Sequence, residues 1–351
     1  MKLLKNVPET GRIGYLDALR IVSMFAVMLL HQAAAGQEAA IPDSREWGIC
    51  WSYNLLSRFA VPVFVMISGA VFLDPERAVT AKSLYGRRIP KLAGIFLVWS
   101  CFYALAESAA SGGLFSAGSP GRLVRRLLSG HYHMWYLYLT MSLYLITPAL
   151  RKIAEKPAVL GLFVLLCTVL GGMLKGILLF LDTGQPLYKV VKQADPGLFV
   201  GYCGYYCLGC LLHRKTISDK WTALLSVGAF LAMAVAAGSG WADRGRWELL
   251  LEAGMPHVVL YAVFAFCLFR RGAVYFAENS LVRGVLRALA PCTLGMYLIH
   301  PAINFLLRCM GIHALSFDPL WWLIPCAGLV CAISFLCVRA GKRIAVCRWF
   351  L

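Results

Sequence analysis

Residues 15–31 read Tyr15-Leu-Asp17-Ala-Leu-Arg20-Ile-Val-Ser-Met-Phe-Ala-Val-Met-Leu-Leu-His31. Between Arg20 and His31 every residue except Ser23 is apolar. Such a segment suits the hydrocarbon core of a bilayer, which takes about 20 residues of helix. Its ionisable residues are costly to insert and by default mark function. At about 100° per residue, the step from Arg20 to His31 returns to within about 20° of the same helix face and rises about 16 Å. Asp17 lies one turn before Arg20, about 40° off the face of His31. The reading is an apolar helix carrying one polar stripe. The plainer alternative is an interfacial Asp17–Arg20 ion pair, its side chains snorkelling to water, with His31 as a boundary residue.

Working outward, apolar runs recur along the whole chain. Expected spans are 15–35, 57–74, 92–110, 134–150, 158–182, 197–213, 221–239, 254–271, 290–310 and 319–338. Asp74-Pro75, Arg151-Lys152, Asp195-Pro196-Gly197 and Asp318-Pro319 punctuate them. Apolar residues make up 60% of the chain and charged residues 15%, against roughly 25% charged in soluble domains. This excludes a disordered chain, a small disulfide scaffold and a soluble enzyme. The expected fold class is all-α, a polytopic membrane bundle of about ten transmembrane helices. The longest connection is 111–133, so residues 1–351 read as a single integral-membrane domain with no soluble domain. No internal repeat of the transporter kind is visible.

The net charge is +17. In an apolar chain this reads as positive-inside bias rather than as a nucleic-acid surface. One set of connections carries 22 of the 34 Lys and Arg and the other set 10, with Arg20 and Lys175 inside spans. That bias expects both termini in the cytoplasm. The first apolar run is too long for a cleavable signal and lacks a small-residue cleavage site. Most of the 13 cysteines lie in apolar runs, where a thiol packs as a small hydrophobe. Cys207 and Cys210 form a CxxC, but no second CxxC or nearby His supports a metal site, so no metal is expected.

Three further clusters stand out. Thr293, Tyr297 and His300 recur at i, i+4 and i+7 on one helix face, either as part of a site or as a packing hydrogen bond. His133, Trp135 and Tyr136 open the fourth span, either as an interfacial aromatic belt or as a surface for a sugar ring. Arg87-Arg88-Ile-Pro-Lys91 opens the third span, either as positive-inside charge or as a phosphate site.

At these residues the chain resembles the acyltransferase-3 family of bacterial membrane O-acyltransferases, over nearly its whole length. The resemblance rests on Arg20-x10-His31 within Tyr15-Leu-Asp17-Ala-Leu-Arg20, on Val61-Pro62-Val-Phe-Val-Met-Ile-Ser68-Gly69, and on Arg87-Arg88-Ile-Pro-Lys91, with Lys91 where Arg is usual. It extends to His133-Met-Trp135-Tyr136-Leu137 and to Gly295-Met-Tyr297-Leu-Ile-His300-Pro301. With no esterase-like domain after the last helix, the chain is similar to the stand-alone type, such as the enterobacterial common antigen O-acetyltransferase.

The resemblance implies transfer of an acetyl or other acyl group from cytoplasmic acetyl-CoA to a hydroxyl of a cell-surface polysaccharide or lipid-linked glycan, in the bacterial inner membrane. A hydroxyl needs a base near neutrality, a task suited to His. His31, Arg20 and Asp17 are therefore the expected catalytic residues. His31 either deprotonates the acceptor or carries the acyl group. Arg88 and Lys91, and less so Arg87, are expected to hold the CoA phosphates. His133, Trp135, Tyr136, Tyr297 and His300 are expected at the acceptor. The expected partners are the lipid bilayer, acyl-CoA and the glycan acceptor, with no nucleic acid. The competing readings are an exporter or flippase of glycan intermediates and a membrane sensor or anchor.

Overall fold

The computed structural model describes residues 13–110, 126–173, 196–215, 217–242, 247–344 and 347–350. Among the described residues every regular element is a helix and there is no strand. The principal helices are α1 (Gly14–Ala39), α2 (Arg45–Ser57), α3 (Ala60–Phe72), α4 (Ile89–Ala110), α5 (Trp135–Ala154), α6 (Pro157–Thr168) and α7 (Pro196–Arg214). They continue with α8 (Asp219–Ala242), α9 (Pro256–Arg271), α10 (Ala273–Glu278), α11 (Ser280–Leu289), α12 (Thr293–Cys309) and α13 (Pro319–Gly341).

Among the described residues six helical stretches are long and apolar enough to cross a bilayer: Gly14–Ala39, Arg45–Phe72, Ala81–Ala109, Asp219–Ser239, Ser280–Cys309 and Pro319–Gly341. Helix also covers most of the expected segments 134–150, 197–213 and 254–271, as α5, α7 and α9. Of the expected span 158–182, residues 174–182 lie outside the described residues, as do 111–125 of the long connection.

The second span differs from its sequence expectation. It was expected to start near residue 57, but the helical stretch starts at Arg45. Arg45, Glu46, Ser52 and Asn54 interrupt the apolar pattern there, yet Ser44 caps the helix by accepting from the Trp47 N–H at 3.1 Å. Asn54 turns inward, and its Nδ2 donates to Gln37 Oε1 on α1 at 3.2 Å. A local break at Arg58 and Phe59 separates α2 from α3. Pro62 has no N–H, so the Arg58 carbonyl loses its helical donor. The ladder resumes with Val63 N–H donating to the Phe59 carbonyl at 2.9 Å.

Two kinds of contact hold the bundle together. Small residues let backbones approach. A Cβ on Gly69 of α3 would fall 1.7 Å from the Tyr206 carbonyl oxygen of α7, and one on Gly209 would fall 2.0 Å from that of Met66. Only glycine fits at this crossing. Polar pairs fix register elsewhere, such as Gln32 Nε2 donating to Asn304 Oδ1 at 2.8 Å between α1 and α12. Cys207 and Cys210 are free, buried thiols on α7. On the outside, Trp221, Leu224, Val227, Phe230, Leu231 and Val235 of α8 are exposed, as suits a face in contact with lipid chains.

Candidate active site

His300 and Pro301 sit together in α12. Pro301 cannot donate to the Tyr297 carbonyl, the acceptor one turn earlier. His300 takes that place, its Nδ1–H donating to the Tyr297 oxygen at 2.7 Å. In the neutral ring this leaves the lone pair on Nε2, and that Nε2 is buried with no partner. The Leu298 carbonyl accepts from the Tyr103 hydroxyl at 2.6 Å.

On this support three helical segments bring their histidines together. The His31 and His300 rings stack at 5.1 Å. His133, on a short 3-10 turn at Tyr132–Met134, meets His300 edge-on at 5.4 Å. Its backbone carbonyl accepts from the Tyr297 hydroxyl. His131 joins them, with Nδ1 2.9 Å from that of His133. Such a contact needs a proton on one nitrogen and a lone pair on the other. Tyr103 stacks on His131 at 4.2 Å, and Tyr132 closes on His31 at 5.2 Å. Burial pushes His131 below its ordinary value, with Glu107 opposing.

His31 and His133 open onto a cavity of about 530 Å³. Trp135, Tyr136 and Tyr297 line it too, with Arg58, Tyr202, Glu248 and Glu252 completing its polar wall. His300 packs behind His31. Five expected site residues thus line one space, and a sixth backs it.

The remaining expected residues lie at the other end of the bundle. Arg20 Nη1 pairs with Asp17 Oδ1 at 2.9 Å and does not line the cavity. Arg88 ends a π turn, Leu84–Arg88, and its guanidinium sits 4.7 Å over the Phe72 ring. Phe72 in turn packs on Tyr144 at 4.6 Å. The charges of Arg20 and Arg88 both act on Tyr144, so the two arginines share one neighbourhood. Arg87, Arg88 and Lys91 are all exposed.

Between the two ends runs a column in which Tyr136 and Tyr297 are expected from the sequence and Ser68 and Tyr144 are not. Ser68, whose hydroxyl donates to the Phe64 carbonyl at 3.1 Å, neighbours both Tyr144 and Tyr136, and Tyr136 meets Tyr297 at 5.7 Å. Ser68 was visible only as part of a motif, and Tyr144 only as one aromatic among many. Arg58 carries a signal of its own, a basic residue at the start of the expected span 57–74. Among the described residues no group of three or more His, Cys, Asp or Glu is placed to hold a metal ion.

The acyltransferase domain of the acyltransferase-3 family matches residues 13–339. The chain belongs to the acyltransferase-3 family. It is therefore an acyltransferase that transfers groups other than aminoacyl groups, and its apolar helices make it a multi-pass membrane protein. No curated protein and no solved structure matches the chain. The match covers both ends of the bundle, and with them every expected site residue of this acyltransferase-3 chain.

Proposed function

We propose that this membrane acyltransferase moves an acetyl group from cytoplasmic acetyl-CoA to a hydroxyl of a surface polysaccharide or lipid-linked glycan at the inner membrane. The carrying observation is His31 on the wall of an aromatic, polar cavity, with the His300 ring stacked against it. In this reading residues 1–351 act as one integral-membrane domain of ten spans with both termini cytoplasmic. The split of Lys and Arg supports that orientation. It puts the Arg20–Arg88 end on the cytoplasmic side and the histidine end toward the outer side.

Arg88 and Lys91, helped by Arg87, bind the CoA phosphates, and Arg20, held by Asp17, guides the donor inward. The pantetheine arm follows the Tyr144–Ser68–Tyr136 column. Trp135 and Tyr136 present ring faces to the acceptor sugar, while His133, Tyr297 and His300 set the position of His31. His31 takes the acceptor hydroxyl proton as the oxygen attacks the thioester carbonyl carbon. The C–S bond then breaks, and the proton passes to the departing thiolate to give CoA.

The deciding experiment compares surface glycans by mass spectrometry with and without the protein, and follows label from [14C]acetyl-CoA in inverted membrane vesicles. Acetyl groups present only with the protein are expected. Identical glycans and no labelled product would overturn the donor and acceptor assignment. A reporter active only outside the cytoplasm, fused after Leu351, is expected to be silent, and its activity would reverse the sidedness.

A further inference from the structure

Arg58 stands where a charge is costly. It sits at the helix break inside the apolar stretch Arg45–Phe72, and a guanidinium within a span is disfavoured unless it pairs or serves a ligand. Its Nε is buried without a hydrogen-bond partner, and it forms no ion pair within 4 Å among the described residues. It lines the cavity opened by His31, and its charge acts on His31. The other groups in its field are the Tyr202 phenol and Glu252. Glu248 and Glu252, on the same wall system, make the cavity unfavourable for a phosphate or diphosphate. The fitting ligand is a neutral carbonyl that becomes anionic only in the transition state.

We infer that Arg58 is a catalytic residue that donates hydrogen bonds to the acyl carbonyl oxygen as the tetrahedral intermediate forms. This rests on the acyl-transfer reading with His31 as base. As the acceptor oxygen bonds to the carbonyl carbon, the C=O π pair moves onto oxygen. The guanidinium stabilises that oxyanion without giving up a proton. When the C=O bond re-forms, the C–S bonding pair leaves on sulfur, which is protonated by the His31 imidazolium. Preorganised donors at a developing oxyanion are worth more in a water-poor site than in water. The break at Arg58–Phe59 serves this role, because it turns one side chain of an apolar helix into the cavity.

The test uses full-length protein in inverted membrane vesicles with [14C]acetyl-CoA, reading label in non-diffusible material, with CoA binding by calorimetry on the purified variants. Arg58→Met is expected to lower kcat by about 10²–10³-fold, the range for losing one oxyanion donor, with donor KM and CoA binding unchanged. Arg58→Lys keeps one donor and is expected to fall between Met and wild type. If Arg58→Met fails to insert, Arg58→Lys decides, and a wild-type kcat there would overturn the assignment. So would wild-type turnover in Arg58→Met, or a loss confined to donor or acceptor KM, which would return Arg58 to ground-state binding. His31→Ala is the separate arm. Full activity in it would sink the base assignment while leaving the Arg58 result to stand or fall alone. No transfer by the wild-type protein would remove both.

Discussion

The two ends of the polar interior are built on opposite terms. At the histidine end His133 and His300 are buried to within 1% of full burial, and rings pack on rings. At the basic end Arg87, Arg88 and Lys91 are exposed, and the anchoring contact is one guanidinium over one ring. A group that exchanges protons near neutrality works in a dry, shaped pocket where its tautomer is set by neighbours. A group that captures a polyanion works best in reach of water, where several cations share the task. The comparison predicts that substitutions at the first end act on turnover and those at the second on donor affinity.

The largest expected effect is at His31. His31→Ala is expected to lower transfer by about 10²–10⁴-fold, the span for a positioned general base, with acetyl-CoA binding retained. Exchanging Leu30 and His31 is a sharper form of the test, because Leu30 also lines the cavity. The moved histidine would still reach the space but would leave the His300 ring. Substantial activity in that variant would show that cavity access alone suffices. Arg20→Ala is also expected to lose transfer, and it leaves the Asp17 carboxylate without this partner in a low-dielectric site. The paired variant Asp17→Asn with Arg20→Gln is expected to recover thermal stability but not activity. Recovered activity would reduce Arg20 to a structural partner.

Next comes the basic end. Arg88→Ala with Lys91→Ala is expected to raise the KM for acetyl-CoA about 10- to 150-fold for each charge-assisted bond lost, at about 1.5–3 kcal/mol apiece, while kcat holds. Raising ionic strength in the wild-type protein is expected to move KM in the same direction, since exposed charges are screened and buried rings are not. A fall in kcat with unchanged KM would erase the distinction between the ends.

Smaller effects probe the scaffold. Tyr103→Phe removes the donor to the Leu298 carbonyl and is expected to cost about 1–3 kcal/mol of stability, the penalty for a buried group left unpaired. An unchanged unfolding temperature would mean that another group satisfies that oxygen. The smallest effect concerns pH. His131 is held below its ordinary value by burial, so the unfolded chain takes up this proton first as pH falls below about 6.5. Above that pH there is no penalty, and below it stability declines until the folded form also protonates. Thermal unfolding is expected to lose less between pH 7 and pH 5 in His131→Gln than in wild type, by at most about 1.4 kcal/mol per pH unit. Equal slopes would show that His131 is not a source of the loss.

What the sequence determined by itself is what a single helix determines. Apolar run length identified membrane helices, and the period of 3.6 residues put Arg20 and His31 on one face, because both depend only on neighbours along the chain. The same locality made His300-Pro301 legible in retrospect, since a proline frees a carbonyl one turn away. Tertiary structure alone decided that the rings of His31 of α1, His133 of a 3-10 turn and His300 of α12 meet, and that Arg58 and His31 line the same cavity as Glu248 and Glu252. It also drew Arg20 and Arg88 to the common neighbour Tyr144. These meetings join residues far apart in the chain. They are set by which small residues let helices approach, as at Gly69 and Gly209, and by which polar pairs fix register, and periodicity along one helix carries no information about its partner.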